Sequence, residues 1–195
     1  MSKRCAIVRK DSRVPMCDCI ALFRGINVGR AKRIAMGELR TLFEGLGHRR
    51  VRTLLNSGNV LFQCARPNEA KLKLAIERAL EQSHGFAAAV TVITAATLAA
   101  IVRDNPLQKV AVDPSRHFVA FAANPKSLVP LRALLAASWE PDVLSIGTQA
   151  AYLWCVAGAL DSKLSQQFAR CAGETVTLRN WATVVKLLAA ANAPG

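Results

Sequence analysis

The spacing of apolar residues switches between strand-like and helix-like in one order, and that order occurs twice. Residues 19–26 form an apolar strand. Met36, Leu39, Leu42, Phe43 and Leu46 then recur at helical spacing, and Gly47 closes that helix. A second strand, 51–55, runs through the turn Asn56-Ser57-Gly58-Asn59 into a third, 60–63, as a hairpin. Pro67 and Asn68 open a helix whose stripe is Leu72, Ala75, Ile76, Ala79 and Leu80, ended at Gly85. Residues 88–93 make a fourth strand, and Thr94 caps a short helix that Asn105-Pro106 stops. The succession then begins again with a strand over 117–122. Asn124-Pro125 opens a helix carrying Leu128, Leu131, Leu134 and Leu135, and a hairpin pairs 143–146 with 151–156. Asp161 or Ser162 caps a helix to about Cys171, 175–179 is a strand, and Asn180 caps a last helix over 181–191.

Each run reads βαββαβ with a trailing helix. The fold expected is therefore α+β, with two tandem ferredoxin-like βαββαβ halves packed together. No residue-level repeat is visible, so the duplication rests on element order, and one larger mixed sheet built from the same elements is the alternative. The expected division is a basic tail over 1–18, a first half over 19–106, a linker over 107–115 and a second half over 116–195. Met16 is an alternative start.

Of 195 residues, 52% are hydrophobic and 20% charged, enough to build a core and too apolar for wholesale disorder. The formal net charge is +13, from 26 basic and 13 acidic residues. Such a balance suits nucleic acid, phosphorylated metabolites or an anionic membrane surface as partners, and equally describes a merely basic surface. The apolar runs fall well short of the roughly 20 residues that span a bilayer, and residues 1–18 lack the apolar core of a secretory signal. No membrane partner is expected, and the location expected is cytoplasmic. Six cysteines include no CxxC pair, and the three histidines lie far apart, so neither a metal site nor a cofactor is expected. Cys64, Cys155 and Cys171 fall in apolar patterns as core or half-buried thiols, in keeping with a reducing compartment.

Four stretches carry unusual polar residues. The first is the loop Arg24-Gly25-Ile26-Asn27-Val28-Gly29-Arg30-Ala31-Lys32-Arg33, between a strand and a helix. Glycines admit close backbone approach, arginines neutralise an anion, and a helix N-terminus adds partial positive charge. Its spacing is neither GxxxxGK[ST] nor GxGxxG, so no nucleotide fingerprint follows. Anion binding through Arg24, Arg30, Lys32 and Arg33 stands beside a tight turn with solvated charges. The second stretch is the hairpin tip with Ser57 and Asn59; no Gly-x-Ser-x-Gly elbow surrounds the serine. The third puts Lys163 in the first turn of a helix, where the dipole disfavours a cation. The last, Arg179-Asn180-Trp181, precedes Thr183 and Lys186, three apart and so expected on one helix face. In a βαββαβ unit the loop after strand one and the hairpin tip share one end of the sheet. If the halves pack head to tail, both polar gatherings would form one cleft, lined by Arg24, Asn27, Arg30, Ser57, Asn59, Lys163, Arg179 and Lys186.

Taken together, Leu22-Phe23-Arg24-Gly25-Ile26-Asn27-Val28-Gly29, Met36-x-x-Leu39, Leu46-Gly47, Val51-x-Thr53 and Ser57-Gly58-Asn59-Val60-x-Phe62 resemble the N-terminal signature of the bacterial domain of unknown function 1697. Ser162-Lys163-Leu164 and Thr177-x-Arg179-Asn180-Trp181-x-Thr183-Val184-x-Lys186-Leu187 resemble its C-terminal signature. The resemblance spans about 19–190 and implies a doubled ferredoxin-like protein with no assigned activity. The chain departs from the pattern at Arg30, where a second glycine is common, and at Leu54, where an aromatic is usual.

The function expected is binding of an anionic, phosphate- or carboxylate-bearing small ligand. A nucleic-acid-binding module is the alternative, with Phe23, Phe62, Phe118, Phe121, Tyr152 and Trp154 as candidate stacking residues. The third reading is an enzyme on a phosphorylated or carboxylated metabolite with Lys163 as base or electrostatic catalyst. Whether there is catalysis, and the oligomeric state, stay open in the sequence.

Overall fold

The structure is a computed structural model describing residues 15–29 and 31–193. The chain folds as two four-stranded antiparallel sheets with helices, in two similar halves. The first half runs β1 (Met16–Phe23), α1 (Met36–Gly45), β2 (Arg49–Leu54), β3 (Asn59–Ala65), α2 (Glu69–His84), β4 (Val90–Thr94) and α3 (Ala95–Arg103). The second runs β5 (His117–Ala122), two 3₁₀ segments (Pro125–Leu128 and Pro130–Ala136), β6 (Val143–Ile146), β7 (Ala150–Trp154), α4 (Lys163–Ala172), β8 (Val176–Asn180) and α5 (Trp181–Asn192). The sheets are ordered β2-β3-β1-β4 and β6-β7-β5-β8, so β4 and β8 occupy equivalent edges.

Two departures from the expected elements have local causes. β1 ends at Phe23 rather than 26 because Gly25 (φ 67°) and Asn27 (φ 58°) leave the extended region. The segment after Asn124 is not one α-helix. Pro130 has no N–H to continue the ladder, and the bonds present are i→i+3, such as Ser127 N to Asn124 O at 2.8 Å and Arg132 N to Val129 O at 3.2 Å. Cys171, read as a core or half-buried thiol, is exposed, whereas Cys64 and Cys155 are buried.

The strands of the two sheet centres are apolar on both faces because both faces are covered. Ala21, Phe23 and Phe62 pack outward beneath Leu39 and Phe43 of α1 and Ile76 and Leu80 of α2. On the inner face, Ile20, Leu22, Leu61 and Ile93 meet Val119, Phe121, Tyr152 and Trp154 of the other sheet. Leu98 and Ile101 of α3 and Val184 and Leu187 of α5 complete this shared core, as do Leu107 and Ala111 from the connecting segment. The outer face of the second sheet is closed by Leu128, Leu131 and Leu134 and by Leu164 and Phe168 of α4.

The halves meet around a near two-fold. Leu22 pairs with Thr91, and Phe121 pairs with Thr177. These equivalent threonines are hydrogen-bonded to each other, Oγ1 to Oγ1 at 3.0 Å, in buried surroundings. Equivalence extends to the following helices: Thr94 caps α3 and Asn180 caps α5, each through a side chain accepting an amide three residues on.

Candidate functional site

The loop after β1 is closed by its own asparagine. Asn27 accepts from Ile34 N at 2.9 Å through Oδ1, and its Nδ2 donates to Ile34 O at 2.9 Å and Asn56 O at 3.0 Å. Asn27 N donates to Lys32 O at 3.0 Å. One side chain thus cross-links the loop and joins it to the β2–β3 turn. The turn itself is pressed against β1: Phe23 N donates to Gly58 O at 2.8 Å. Gly58 has φ +74°, and a Cβ there would meet the Ile26 side chain and lie 2.8 Å from Phe23 Cβ, so only glycine fits.

Arg179 reaches across from β8 into this corner. Its Nε donates to Asn59 Oδ1 at 2.6 Å, Nη1 to Leu178 O at 2.8 Å, and Nη2 to Phe23 O at 2.7 Å and Ser57 O at 3.0 Å. Asn59, fully buried, donates in turn to Leu54 O at 2.8 Å and to Ser57 Oγ at 3.0 Å. Burial pulls the Arg179 guanidinium down to about 10, which leaves it charged near neutrality. Arg24 makes a second bridge: its Nη1 donates to Val176 O at 2.9 Å and to Gly173 O. Neither arginine has a carboxylate partner among the described residues, and no buried side-chain nitrogen or oxygen among them lacks a hydrogen bond.

The eight residues expected to line one cleft therefore divide. Arg24, Asn27, Ser57, Asn59 and Arg179 come together at the junction of the halves, but their polar atoms are directed at the chain itself. Arg30 lies outside the described residues. Lys163 is exposed at the start of α4, which covers the outer face of the second sheet, and it shares a depression of about 220 Å³ with Trp139 and Arg170. Lys186 is exposed on α5 while Thr183 is buried, so the two do not share an environment.

A pocket of about 430 Å³ opens instead on the other side of the loop, lined by Asn27, Arg33, Ile34, Ala35, Met36, Glu38 and Asn56. It faces the N-terminus of α1. Every other α-helix has a side-chain cap, from Asn68, Thr94, Ser162 and Asn180. At α1 the capping position is Ala35, which has no acceptor, so no side chain takes the first-turn amides. Glu38 supplies half of a capping box, its Oε2 accepting from Ala35 N at 3.0 Å. The sequence signal was present in Arg33 and in the spacing Ala35-x-x-Glu38, an acid three residues on from a position that normally holds Ser or Thr.

Among the described residues no group of three or more His, Cys, Asp or Glu could hold a metal ion, and no helix is long and apolar enough to cross a membrane. Phe23, Phe62, Phe121, Tyr152 and Trp154 are buried and Phe118 packs into the outer core of the second sheet, so these six aromatics do not form a stacking platform.

The family model described as Protein of unknown function (DUF1697) matches residues 16–152. The C-terminal motif around Arg179 lies beyond the matched residues. A solved structure, that of the conserved bacterial protein SP0830 from Streptococcus pneumoniae, superposes with a TM-score of 0.72 at 20% identity. The superposition covers 91% of this chain and 100% of that one, a likeness of fold. No curated protein matches the chain.

Proposed function

Because this chain belongs to the family described as Protein of unknown function (DUF1697), whose description assigns no activity, we propose a function from its own geometry: it binds the anionic group of a small ligand in the pocket between the opening loop and the start of α1. The observation that carries this reading is the uncapped N-terminus of α1 facing a polar pocket beside Arg33. Unpaired amides at a helix start and the helix dipole favour a phosphate or carboxylate, and the guanidinium supplies a full charge and a bidentate donor set. Asn27 holds the loop in shape, so the pocket is preorganised rather than assembled on binding. Glu38 occupies the Ala35 amide and lines the same pocket. An incoming anion competes with this carboxylate for that amide, so Glu38 tunes affinity downward.

This reading narrows the expected cleft between the halves to a pocket within the first half. Binding of nucleic acid through a stacking face is not favoured, since the candidate aromatics are inside. No reaction is proposed, because no acid–base pair faces the pocket. The test is titration calorimetry and thermal shift with inorganic phosphate, run beside a single-stranded oligonucleotide. Phosphate should raise the melting temperature of the parent chain. Arg33→Ala should weaken binding about tenfold or more, as expected for loss of a charge-assisted contact, and Glu38→Gln should strengthen it. Equal stabilisation of the parent and the Arg33→Ala chain would place the anion elsewhere; tight, salt-sensitive binding of the oligonucleotide alone would favour the nucleic-acid reading.

A further inference from the structure

Cys17 and Cys19 are two apart on β1, so they share one face of the strand. In the antiparallel register Cys17 lies directly opposite Cys64 of β3. All three thiols belong to the outer core of the first sheet: Cys19 and Cys64 within it and Cys17 packed against it. The Sγ atoms of Cys19 and Cys64 are 3.6 Å apart. Cys17 and Cys64 are direct partners in the ladder, and such partners have Cα atoms about 4.5–5.5 Å apart, inside the 4.4–6.8 Å range a disulfide spans. Exposure falls inward along the row, from half-buried Cys17 to Cys64 at 6% and Cys19 at 1%. Neighbouring strands have thus gathered three thiols separated by up to 47 positions (64 − 17) into one contiguous set open to solvent at a single end.

We propose that Cys17, Cys19 and Cys64 form an oxidation site that reacts with a hydroperoxide at Cys17 and ends as a disulfide joining β1 to β3. The Cys17 sulfur attacks the peroxide, the O–O bond breaks, and Cys17 sulfenic acid forms with release of one water when the oxidant is hydrogen peroxide. The Cys64 thiol attacks that sulfur, the S–O bond breaks, and a second water leaves with the thiol proton. Two thiol sulfurs are oxidised and both peroxide oxygens reduced to water. The Cys19 thiol then attacks the Cys64 sulfur, the Cys17–Cys64 bond breaks, the Cys19 proton passes to the departing Cys17 sulfur, and the bond moves inward to Cys19–Cys64. Desolvation raises both inner thiols above their ordinary range, so neither offers a ready thiolate to the oxidant, and entry is at the outer position. The product is restored by a dithiol reductant.

The experiment uses the full chain, treated with stoichiometric hydrogen peroxide, blocked with a thiol alkylating agent and mapped by mass spectrometry. Cleavage before Asp18 separates Cys17 from Cys19. The expected result is Cys64 joined to Cys17 early and to Cys19 late, in a monomer, with a higher melting temperature that dithiothreitol reverses. In the Cys17→Ser chain the Cys64 disulfide should form at least tenfold more slowly. The proposal is overturned if Cys64 stays alkylatable after oxidation while only Cys5 or Cys171 reacts, or if Cys17→Ser leaves the rate unchanged. The mapping of the parent chain decides the case even if the variant folds poorly.

Discussion

Arg179 shows how a residue can be singled out correctly and still have a different use. Its neighbours in sequence mark it as an unusual cation ahead of a helix cap. Its partners are four main-chain carbonyls and the oxygen of Asn59, contributed largely by residues about 120 to 156 positions away. A carbonyl is present at every position, so such a bond leaves no pattern to read. Local chemistry was legible by comparison. Asn27, expected to line the cleft, takes φ 58° and uses its amide group to bond its own loop. Replacing Arg179 by Ala or Met removes the donors while Asn59 Oδ1 and Phe23 O stay buried. The expected loss is about 2–4 kcal/mol in urea denaturation, with Arg179→Lys also destabilised because a point-like ammonium cannot span the same acceptors. A loss below about 0.5 kcal/mol would mean that the corner rehydrates freely.

At the scale of the element, most of the chain was readable because the signals are local. Asn68, Thr94 and Asn180 each cap the helix they were expected to open, Ser162 of the expected pair Asp161 or Ser162 caps α4, and Gly85 closes α2 in the left-handed region. The expected succession of strands and the neighbouring loop and hairpin tip are present. The 3₁₀ segments were missed because leucines at helical spacing do not reveal that Pro130 interrupts the ladder. The start of α1 was missed for a different reason: its distinguishing feature is a cap that is absent, and an alanine draws no attention. Ala35 has the extended backbone of a capping residue, φ −70° and ψ 145°. Ala35→Ser should therefore complete the capping box and stabilise the chain by about 1 kcal/mol. The same serine should weaken phosphate binding, since its oxygen takes an amide the anion would use. Stabilisation with undiminished phosphate binding would separate the helix start from the site.

For the whole molecule, the two halves were foreseeable from element order, but their relative placement was not. The inner core is made by contacts between sheets far apart in sequence, and no periodicity specifies which apolar face meets which. Leu107 and Ala111, in a stretch read as a linker, are buried in that core. A shared core predicts shared unfolding. All three tryptophans, Trp139, Trp154 and Trp181, belong to the second half, whereas helices and strands of both halves contribute to far-ultraviolet circular dichroism. Urea curves followed by tryptophan fluorescence and by dichroism should have one midpoint. Two midpoints would show that the halves unfold independently.

The threonine pair between β4 and β8 has a consequence for what a fused chain can do that a pair of identical chains cannot. The near two-fold that exchanges Thr91 and Thr177 also exchanges Arg179 with Ile93, and Asn59 with Ala150, as the strand pairings require. One corner of the molecule is therefore a polar bridge and its mate is apolar. In a symmetric dimer of a single half, each side chain would be present at both corners, and an arginine suited to one would be forced into the other. Covalent linkage removes that obligation. The two copies of the interface are free to diverge, one tuned for dry packing and the other for a buried charge beside the loop that follows β1.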